Sequence, residues 1–392
     1  MQKIRIIRTS TVPVSLKFLL KGQLSFLNRY FDVSAVSGEG PDLDVVRERE
    51  GVTVFPVKME RKISPYRDLV SLIKLFFLFK RTKPQIVHSI TPKAGLLSMT
   101  AAKFAGVPIR MHTFTGLIFP SKTGFMQQLL ILMDRILCRF ATNIYPEGKG
   151  VKEDLINFRI TDKPLKIIAN GNVNGIDLDY FDGSLLQDEV KKKLRQELGI
   201  GEDDFVFIFV GRLVKDKGIN ELIRAFKNMK NSSFDSQQKA VKLLLVGPFE
   251  AELDPLLPET LQEMHVNNSV ISVGFQEDVR PYFGIADALV FPSYREGFPN
   301  VVMQAGAMEL PAIVTNINGC NEIIEDSVNG IIIPSRSSHA LQESMEKLSS
   351  NPVFYLKLKE KARELIVERY NQSLVWISLK QEYETLISLK AL

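Results

Sequence analysis

Ala288-Leu289-Val290-Phe291-Pro292-Ser293-Tyr294-Arg295-Glu296-Gly297-Phe298-Pro299-Asn300 is the stretch on which the reading of this chain turns. Its first four residues form an apolar run closed sharply by Pro-Ser, the pattern of a buried parallel strand. Gly297 lets backbone come close to a ligand, and Pro299 suits the first position of a helix expected from about Pro299 to Glu309. Glu296 therefore stands at a strand's C-terminal end, facing a helix N-terminus. Such a terminus gathers free N–H groups and about half a positive charge, which suits phosphate, while the carboxylate accepts hydrogen bonds from hydroxyls. The pairing points to a ligand carrying both phosphate and polyol. Taken alone, a Glu-Gly pair fits any crossover loop as well. Its company argues otherwise: Gln304 shares a helix face with Asn300, beside the apolar stripe Val301, Ala305 and Met308, and another strand, Leu310 to Thr315, follows.

Outward from there, a second buried strand, Asp204 to Val210, runs into Gly211-Arg212-Leu213-Val214-Lys215-Asp216-Lys217-Gly218. Arg212 and Lys217 straddle a tight loop before a helix starting near Gly218 or Ile219. Two cations beside a helix N-terminus make a diphosphate clamp, Arg as a bidentate fork and Lys as a point charge. Strands at Val241 to Val246 and Val270 to Val273 lie between, the latter leading into Gly274-Phe275-Gln276. After the strand Ile331 to Ile333, three helices finish the chain, the last at about Ser373 to Leu389 with Trp376.

The chain has 392 residues, long for one domain and comfortable for two. A formal charge of +5 suits an anionic ligand or an acidic membrane surface, but the sequence has no Lys/Arg-dense tract with interleaved aromatics, so nucleic acid is not an expected partner. Cys138 and Cys320 lie far apart and support neither a disulfide framework nor a cysteine metal site. No signal-peptide core or membrane-length apolar run appears. The expected location is the cytoplasm, soluble or peripheral on the inner face of the plasma membrane.

In the N-terminal half, strands are expected at Ile4 to Ile7, Asp32 to Val36, Val52 to Val57, Gln85 to Ser89, within Pro108 to Gly116 with its C-terminal loop toward the cleft, Asn143 to Tyr145 and Leu165 to Ala169. The loop Thr9 to Ser15 lacks the Gly-x-Gly-x-x-Gly of a dinucleotide fold, which argues against hydride chemistry. Asp42-Leu43-Asp44 spells a metal-holding triplet, yet it follows Gly40-Pro41 and reads better as the acidic first turn of a helix. The helix Pro65 to Thr82 mixes Leu69, Ile73, Phe76 and Phe77 with Arg67, Lys74, Lys80 and Arg81. It packs on the sheet, lies on anionic lipid, or does both with different faces. The helix Gly124 to Phe140 is apolar on most sides. Asn170 to Gly175 is dense in turn formers. The expected organisation is a first domain over 1–171, a linker over 172–200, a second domain over 201–372, and a terminal helix over 373–392.

From Pro292 through Gly330 the sequence resembles the retaining glycosyltransferases of family 4, and weaker matches extend over nearly the whole chain. Gly-Arg-Leu-x-x-x-Lys-Gly, starting at Gly211, matches that family's diphosphate motif. Two departures stand out: Gln304 occupies the place of the family's second Glu, and the first loop lacks paired glycines. The resemblance implies the α/β GT-B fold, two doubly wound Rossmann-like domains facing a central cleft, with the terminal helix crossing back to the first. It implies a metal-independent enzyme of the hexosyltransferase type, without cofactor, taking a nucleotide-sugar donor, most often UDP-linked. In it Arg212 and Lys217 hold the diphosphate, and Glu296 holds the sugar hydroxyls with the backbone of Gly297, Phe298, Pro299 and Asn300 alongside. Gln304 lies at the ribose, Gly211 beside the diphosphate, and Phe275 and Gln276 at the nucleobase. A histidine in the loop after the fifth strand touches the donor sugar in such enzymes, a position taken here by either His112 or Thr115. The acceptor implied is a saccharide, lipid-linked, in surface polysaccharide synthesis. A nucleotide-sugar 2-epimerase of similar fold and a binding protein without transfer activity are the alternatives.

Overall fold

The strands Arg5–Thr9 (β1), Asp32–Ser37 (β2), Thr53–Pro56 (β3), Ile86–Ser89 (β4), Ile109–Phe114 (β5) and Asn143–Pro146 (β6) are short and largely buried, and pair in parallel in the order β3-β2-β1-β4-β5-β6. A second sheet repeats the plan with Phe205–Val210 (β7), Val241–Val246 (β8), Val270–Ser272 (β9), Ala288–Phe291 (β10), Ala312–Thr315 (β11) and Gly330–Ile333 (β12), ordered β12-β11-β10-β7-β8-β9. The computed structural model describes residues 3–60, 63–231, 240–250, 252 and 254–391. The chain divides into one unit of Met1–Gly175 with Gln372–Leu392 and another of Ile176–Asn371.

In each sheet the strand order reverses once, between β1 and β4 in the first and between β7 and β10 in the second. Helices leave opposite faces at such a switch point, which opens a crevice beyond the strands' C-terminal ends. The first sheet is covered on one face by the helices Pro65–Thr82, Pro92–Ala105 and Gly124–Phe140, through Leu75, Phe79, Ala94, Ala101, Ile131 and Leu137. Its other face is covered by the helices Pro13–Leu19, Gln23–Asn28 and Pro41–Glu50, and by the C-terminal helix Gln372–Leu389 through Leu379, Tyr383 and Leu386.

That last helix is tied to the first unit by polar contacts as well. The Tyr383 hydroxyl lies 2.8 Å from Arg8 Nη1 and 2.8 Å from His88 Nδ1, the Tyr145 hydroxyl donates to Glu382 at 2.8 Å, and Trp376 Nε1 donates to Asn174 Oδ1 at 2.7 Å. Buried polar groups are costly unless satisfied, so these bonds fix the helix's register as well as its presence.

Several expectations shift. Leu165–Ala169 is not a strand: Leu165 makes one isolated bridge to Ile144, and Ala169 sits at φ +50, which ends extension. The helix after Glu296 spans Asn300–Ala307, with Pro299 as its N-cap and Glu309 turned to φ +66 beyond its end. The expected linker divides at Gly175. Asn172 Oδ1 accepts from the amides of Asn174 and Gly175 at 2.9 and 2.8 Å and closes a turn in the first unit. From Ile176 the chain belongs to the second unit, where Leu186, Leu194 and Leu198 pack on the core, so the charged stretch is an amphipathic helix, Asp188–Glu197, rather than a free tether. Asp42 and Asp44 do occupy a first helical turn, and Asp42 pairs with Lys17 at 2.9 Å.

Candidate active site

The loops that leave β7, β8, β9 and β10 are stitched to one another by backbone hydrogen bonds. Gly211 N donates to Val246 O at 2.9 Å, Gly247 N to Gly274 O at 2.8 Å, and Tyr294 N to Asp216 O at 2.9 Å. Two glycines permit this spacing. A Cβ on Gly247 would lie 1.8 Å from Gly211 O, and one on Gly218, whose φ is +73, would lie 2.1 Å from Pro292 O. The β7 and β10 loops therefore meet at the switch point with no room for a side chain between their backbones.

Lys217 closes a 3₁₀ turn, Lys215–Lys217, and Gly218 carries the chain into the helix Ile219–Asn231. This places the Lys217 ammonium against the Glu296 carboxylate, where the two form an ion pair with each side chain 16% exposed. Ser293 Oγ donates to the same Glu296 oxygen at 2.8 Å, and the Lys217 ammonium lies 5.7 Å from the centroid of the Phe291 ring. Arg212 pairs with Glu250 at 2.8 Å nearer the surface. Burial draws the Arg212 pKa down, but Glu250, with Asp216 and Glu296 nearby, pushes it up and prevails, so the guanidinium stays charged. Both cations thus meet carboxylates in this structure. The Arg212 pair is open to solvent and weak; the Lys217 pair is largely desolvated and stronger.

The other expected residues are distributed as follows. Gly211, at φ +151, opens the β7 loop. Gln304 is half-buried on its helix, and its side-chain amide has no hydrogen-bond partner among the described residues. Phe298 is buried edge-on against Tyr370 with ring centroids 5.4 Å apart, so it offers a ligand backbone and not a ring. Gly297 is held close to Gly319, where a Cβ would lie 2.4 Å from Gly297 O, and Pro299 and Asn300 begin the helix beside it. Phe275 is 67% exposed, and Gln276 Nε2 donates to Val273 O at 2.9 Å.

His112, expected with Thr115 as the alternative to face the donor sugar, belongs to the first unit. Its ring is fully buried, Nδ1 lies 2.7 Å from Ser89 Oγ, and Phe114 packs edge-on at 4.5 Å. Gly95 leaves the ring its space: a Cβ there would lie 2.5 Å from His112 Cε1. Burial pushes the imidazole pKa down to about 3, so it is neutral, and its Nε2 has no hydrogen-bond partner among the described residues. Thr115 is half-buried and donates to Ile90 O at 2.8 Å.

Three participants escaped the sequence reading. Ser293 orients Glu296, Glu250 answers Arg212, and Asp254 accepts from the Asp216 amide at 2.6 Å to brace the β7 loop. Glu250 follows β8 in Gly247-Pro248-Phe249-Glu250, so the rule that marks Glu296, an acid just past a strand's C-terminal end, could have found it.

The family described as Glycosyl transferases group 1 matches residues 190–365, and that described as Glycosyl transferase 4-like matches residues 14–147. The capsular polysaccharide biosynthesis glycosyltransferase CapM of Staphylococcus aureus is 31% identical over 391 residues, covering 99% of this chain and 98% of that one. The chain is a family 4 glycosyltransferase. This glycosyltransferase is also 28% identical over 346 residues to the Escherichia coli UDP-Gal:alpha-D-GlcNAc-diphosphoundecaprenol alpha-1,3-galactosyltransferase, covering 88% of this chain and 86% of its relative. Its GT-B fold matches the Anabaena protein Alr3699/HepE in complex with UDP and glucose, with a TM-score of 0.81 at 19% identity over 98% of this chain and 100% of that one. The glycosyltransferase WaaG, involved in lipopolysaccharide biosynthesis, superposes with a TM-score of 0.68 at 16% identity, over 95% and 97% of the two chains.

Proposed function

We propose that this glycosyltransferase moves a sugar from a UDP-sugar to a lipid-linked saccharide during surface polysaccharide synthesis, with retention of the anomeric configuration. The observation that carries the reading is the Arg212, Lys217 and Glu296 group at the switch point of the second sheet, two cations and a hydroxyl acceptor where a diphosphate and a sugar belong side by side. The capsular and diphosphoundecaprenol-directed relatives support the acceptor class, and the UDP-bound structural relative supports the nucleotide.

In the proposed reaction the bond from the sugar's anomeric carbon to the diphosphate oxygen breaks as an acceptor hydroxyl forms a new bond on the same face, and the hydroxyl's proton passes to the departing phosphate. Arg212 and Lys217 stabilise the charge that grows on that phosphate, in place of a metal ion. Glu296 accepts from sugar hydroxyls and stabilises positive charge at the ring. Ser293 keeps it aimed.

The first unit supplies a surface suited to an anionic bilayer. Tyr66, Leu69, Ile73 and Phe77 are exposed along one face of the helix Pro65–Thr82, amid exposed Arg67, Lys74, Lys80 and Arg81, and Phe125 and Leu132 are exposed on the helix Gly124–Phe140. Apolar side chains that enter the interface and cations that meet phosphates are what peripheral attachment needs.

Incubation with single UDP-sugars, with and without an undecaprenyl-diphosphate-linked saccharide, tests the reading. Free UDP formed only with acceptor, in the presence of EDTA, and a product whose anomeric proton keeps the donor's configuration are expected. UDP released with an altered free sugar would indicate epimerisation instead, and binding without turnover would leave a nucleotide-sugar-binding protein.

A further inference from the structure

At the switch point of the first sheet, beyond the ends of β1, β4 and β5, lies a pocket of about 400 Å³, within the range of small-molecule sites. Its walls are unequal in chemistry. Thr11, Ser15 and Thr91 offer hydroxyls where the β1 and β4 loops meet, and Thr11 Oγ1 lies 2.8 Å from Thr91 Oγ1. Elsewhere the lining is hydrocarbon: Ile63, Leu96, Leu117, Ile118, Leu130 and Met133. Ile63 and Ile118 are exposed among the lining residues, and the helix Gly124–Phe140, which supplies Leu130, Met133 and Asp134, also carries the exposed Phe125.

One carboxylate interrupts the apolar wall. Asp134, on the helix Gly124–Phe140, has no hydrogen bond or ion pair with any described residue. The pocket's other charge is already answered: Lys93 pairs with Asp68 at 2.8 Å. Cys138 follows one turn later on the same helix, its thiol pushed up to about 12 by burial and by Asp134. Two further cations on or against this helix are also engaged: Arg135 donates to the carbonyls of Arg159 and Phe158, and Lys163 gives its ammonium to those of Cys138, Arg139 and Ala141. A sugar would find partners only at Asp134 and the three hydroxyls and meet hydrocarbon elsewhere, whereas an alkyl or isoprenoid chain leaves only the Asp134 carboxyl unpaired.

Resting on the acceptor class proposed above, we infer that this pocket takes the carrier-proximal hydrocarbon of an isoprenoid diphosphate, polar end toward Thr11, Ser15 and Thr91, and that Asp134 sets its affinity as a specificity-determining residue. Hydrocarbon against Asp134 removes the water that an ionised carboxylate needs, so the chain binds the protonated form. Asp134 keeps part of its surface exposed, yet the hydrocarbon around it desolvates the carboxyl and pushes it up to about 7. Affinity therefore falls as pH rises through neutrality, and a neutral residue at 134 abolishes that fall.

Titration of the full chain with farnesyl diphosphate, under saturating UDP so that Arg212 and Lys217 are occupied, tests this without any transfer step. The expected result is binding at least about tenfold tighter than inorganic diphosphate, because several buried CH₂ groups each contribute. Met133→Trp and Leu96→Phe, which fill the pocket, should remove that advantage while circular dichroism and urea unfolding like the parent's show the first unit folded. From pH 6 to 8 the ratio of wild-type to Asp134→Asn affinity should fall about tenfold, a comparison that cancels the ligand's own titration. Equal binding of the two diphosphates, or farnesyl diphosphate binding untouched in both filled variants, would overturn the site. A pH-independent ratio would overturn the role of Asp134. Failure of transfer to lipid-linked saccharides would instead count against the proposed acceptor and leave this titration unchanged.

Discussion

Changing Lys217 to Met and Glu296 to Gln, singly and together, asks whether the ion pair at the β7 and β10 loops gives way to a diphosphate. Each side chain is 16% exposed, between the surface pairs that contribute under 1 kcal/mol and the buried pairs whose disruption costs 3 to 5, so the pair is worth about 1 to 3 kcal/mol. If Lys217 turns from Glu296 to the UDP phosphates, binding must overcome part of that energy. Lys217→Met removes one charge-assisted hydrogen bond and should weaken UDP by about 1.5 to 3 kcal/mol. Glu296→Gln keeps the side chain's size and an acceptor for Ser293 while freeing the ammonium, so UDP should bind about 0.5 to 1.5 kcal/mol tighter, even as transfer falls by about a hundredfold or more. In the Lys217→Met background the same Glu296→Gln change has no ion pair to release, and its benefit should shrink by about 1 kcal/mol. Calorimetric titration of the four proteins with UDP at one pH and salt closes the cycle. A coupling of zero would mean that Lys217 stays on Glu296 with UDP bound, and the competition would be refuted.

Gln304→Glu should tighten UDP by about 0.5 to 1.5 kcal/mol, because a carboxylate accepts from two ribose hydroxyls where the amide accepts from one and donates to the other. Gln304→Ala should loosen it by a similar amount; unchanged UDP titrations would remove the side chain from the ribose. Gly218→Ala combines a left-handed residue with a Cβ 2.1 Å from Pro292 O, whereas Gly274→Ala at φ +69 meets nothing within 4 Å. In urea unfolding the first should cost well over 2 kcal/mol and the second about 1 to 2, and equal losses would contradict the close loop approach. His112 is neutral when folded and titrates near its ordinary 6.5 when unfolded, so the unfolded chain binds the extra proton below that value. Stability should be complete above pH 6.5 and decline as pH falls toward about 3, by at most about 5 kcal/mol. His112→Asn should flatten that limb in acid-unfolding curves, and an unchanged slope would show that another group causes it.

The sheets were legible because buried parallel strands are nearly continuous apolar runs, as in Phe205–Val210 and Ala288–Phe291. The gathering of glycines, cations and an acid just past those runs was legible too. Pairing was not. Lys217 and Glu296 are 79 residues apart and Arg212 and Glu250 are 38, and single-sequence patterns carry no information at that range. The orientation of His112 was not legible for a related reason: β5 is buried on both faces, so alternation along Met111, His112 and Thr113 does not show which way the ring points. Only the absent side chain of Gly95, on the covering helix, makes its place inside the sheet's packing. The Leu165–Ala169 stretch has a strand's composition, but the backbone turn at Ala169 is decided by tertiary context.

The first unit is discontinuous: its sheet lies within the first 175 residues, yet the helix that completes one face is Gln372–Leu389. On a ribosome adding about 5 to 20 residues per second, the second unit's 196 residues take roughly 10 to 40 s to make. Throughout that interval the groove that will receive Leu379, Tyr383 and Leu386 stands open, and Arg8 and His88 lack the Tyr383 hydroxyl. The second unit has every strand and covering helix it needs before the first is whole. Released chains truncated just short of Gln372 should therefore hold a folded second unit and an unfinished first one, the species a holdase chaperone would recognise.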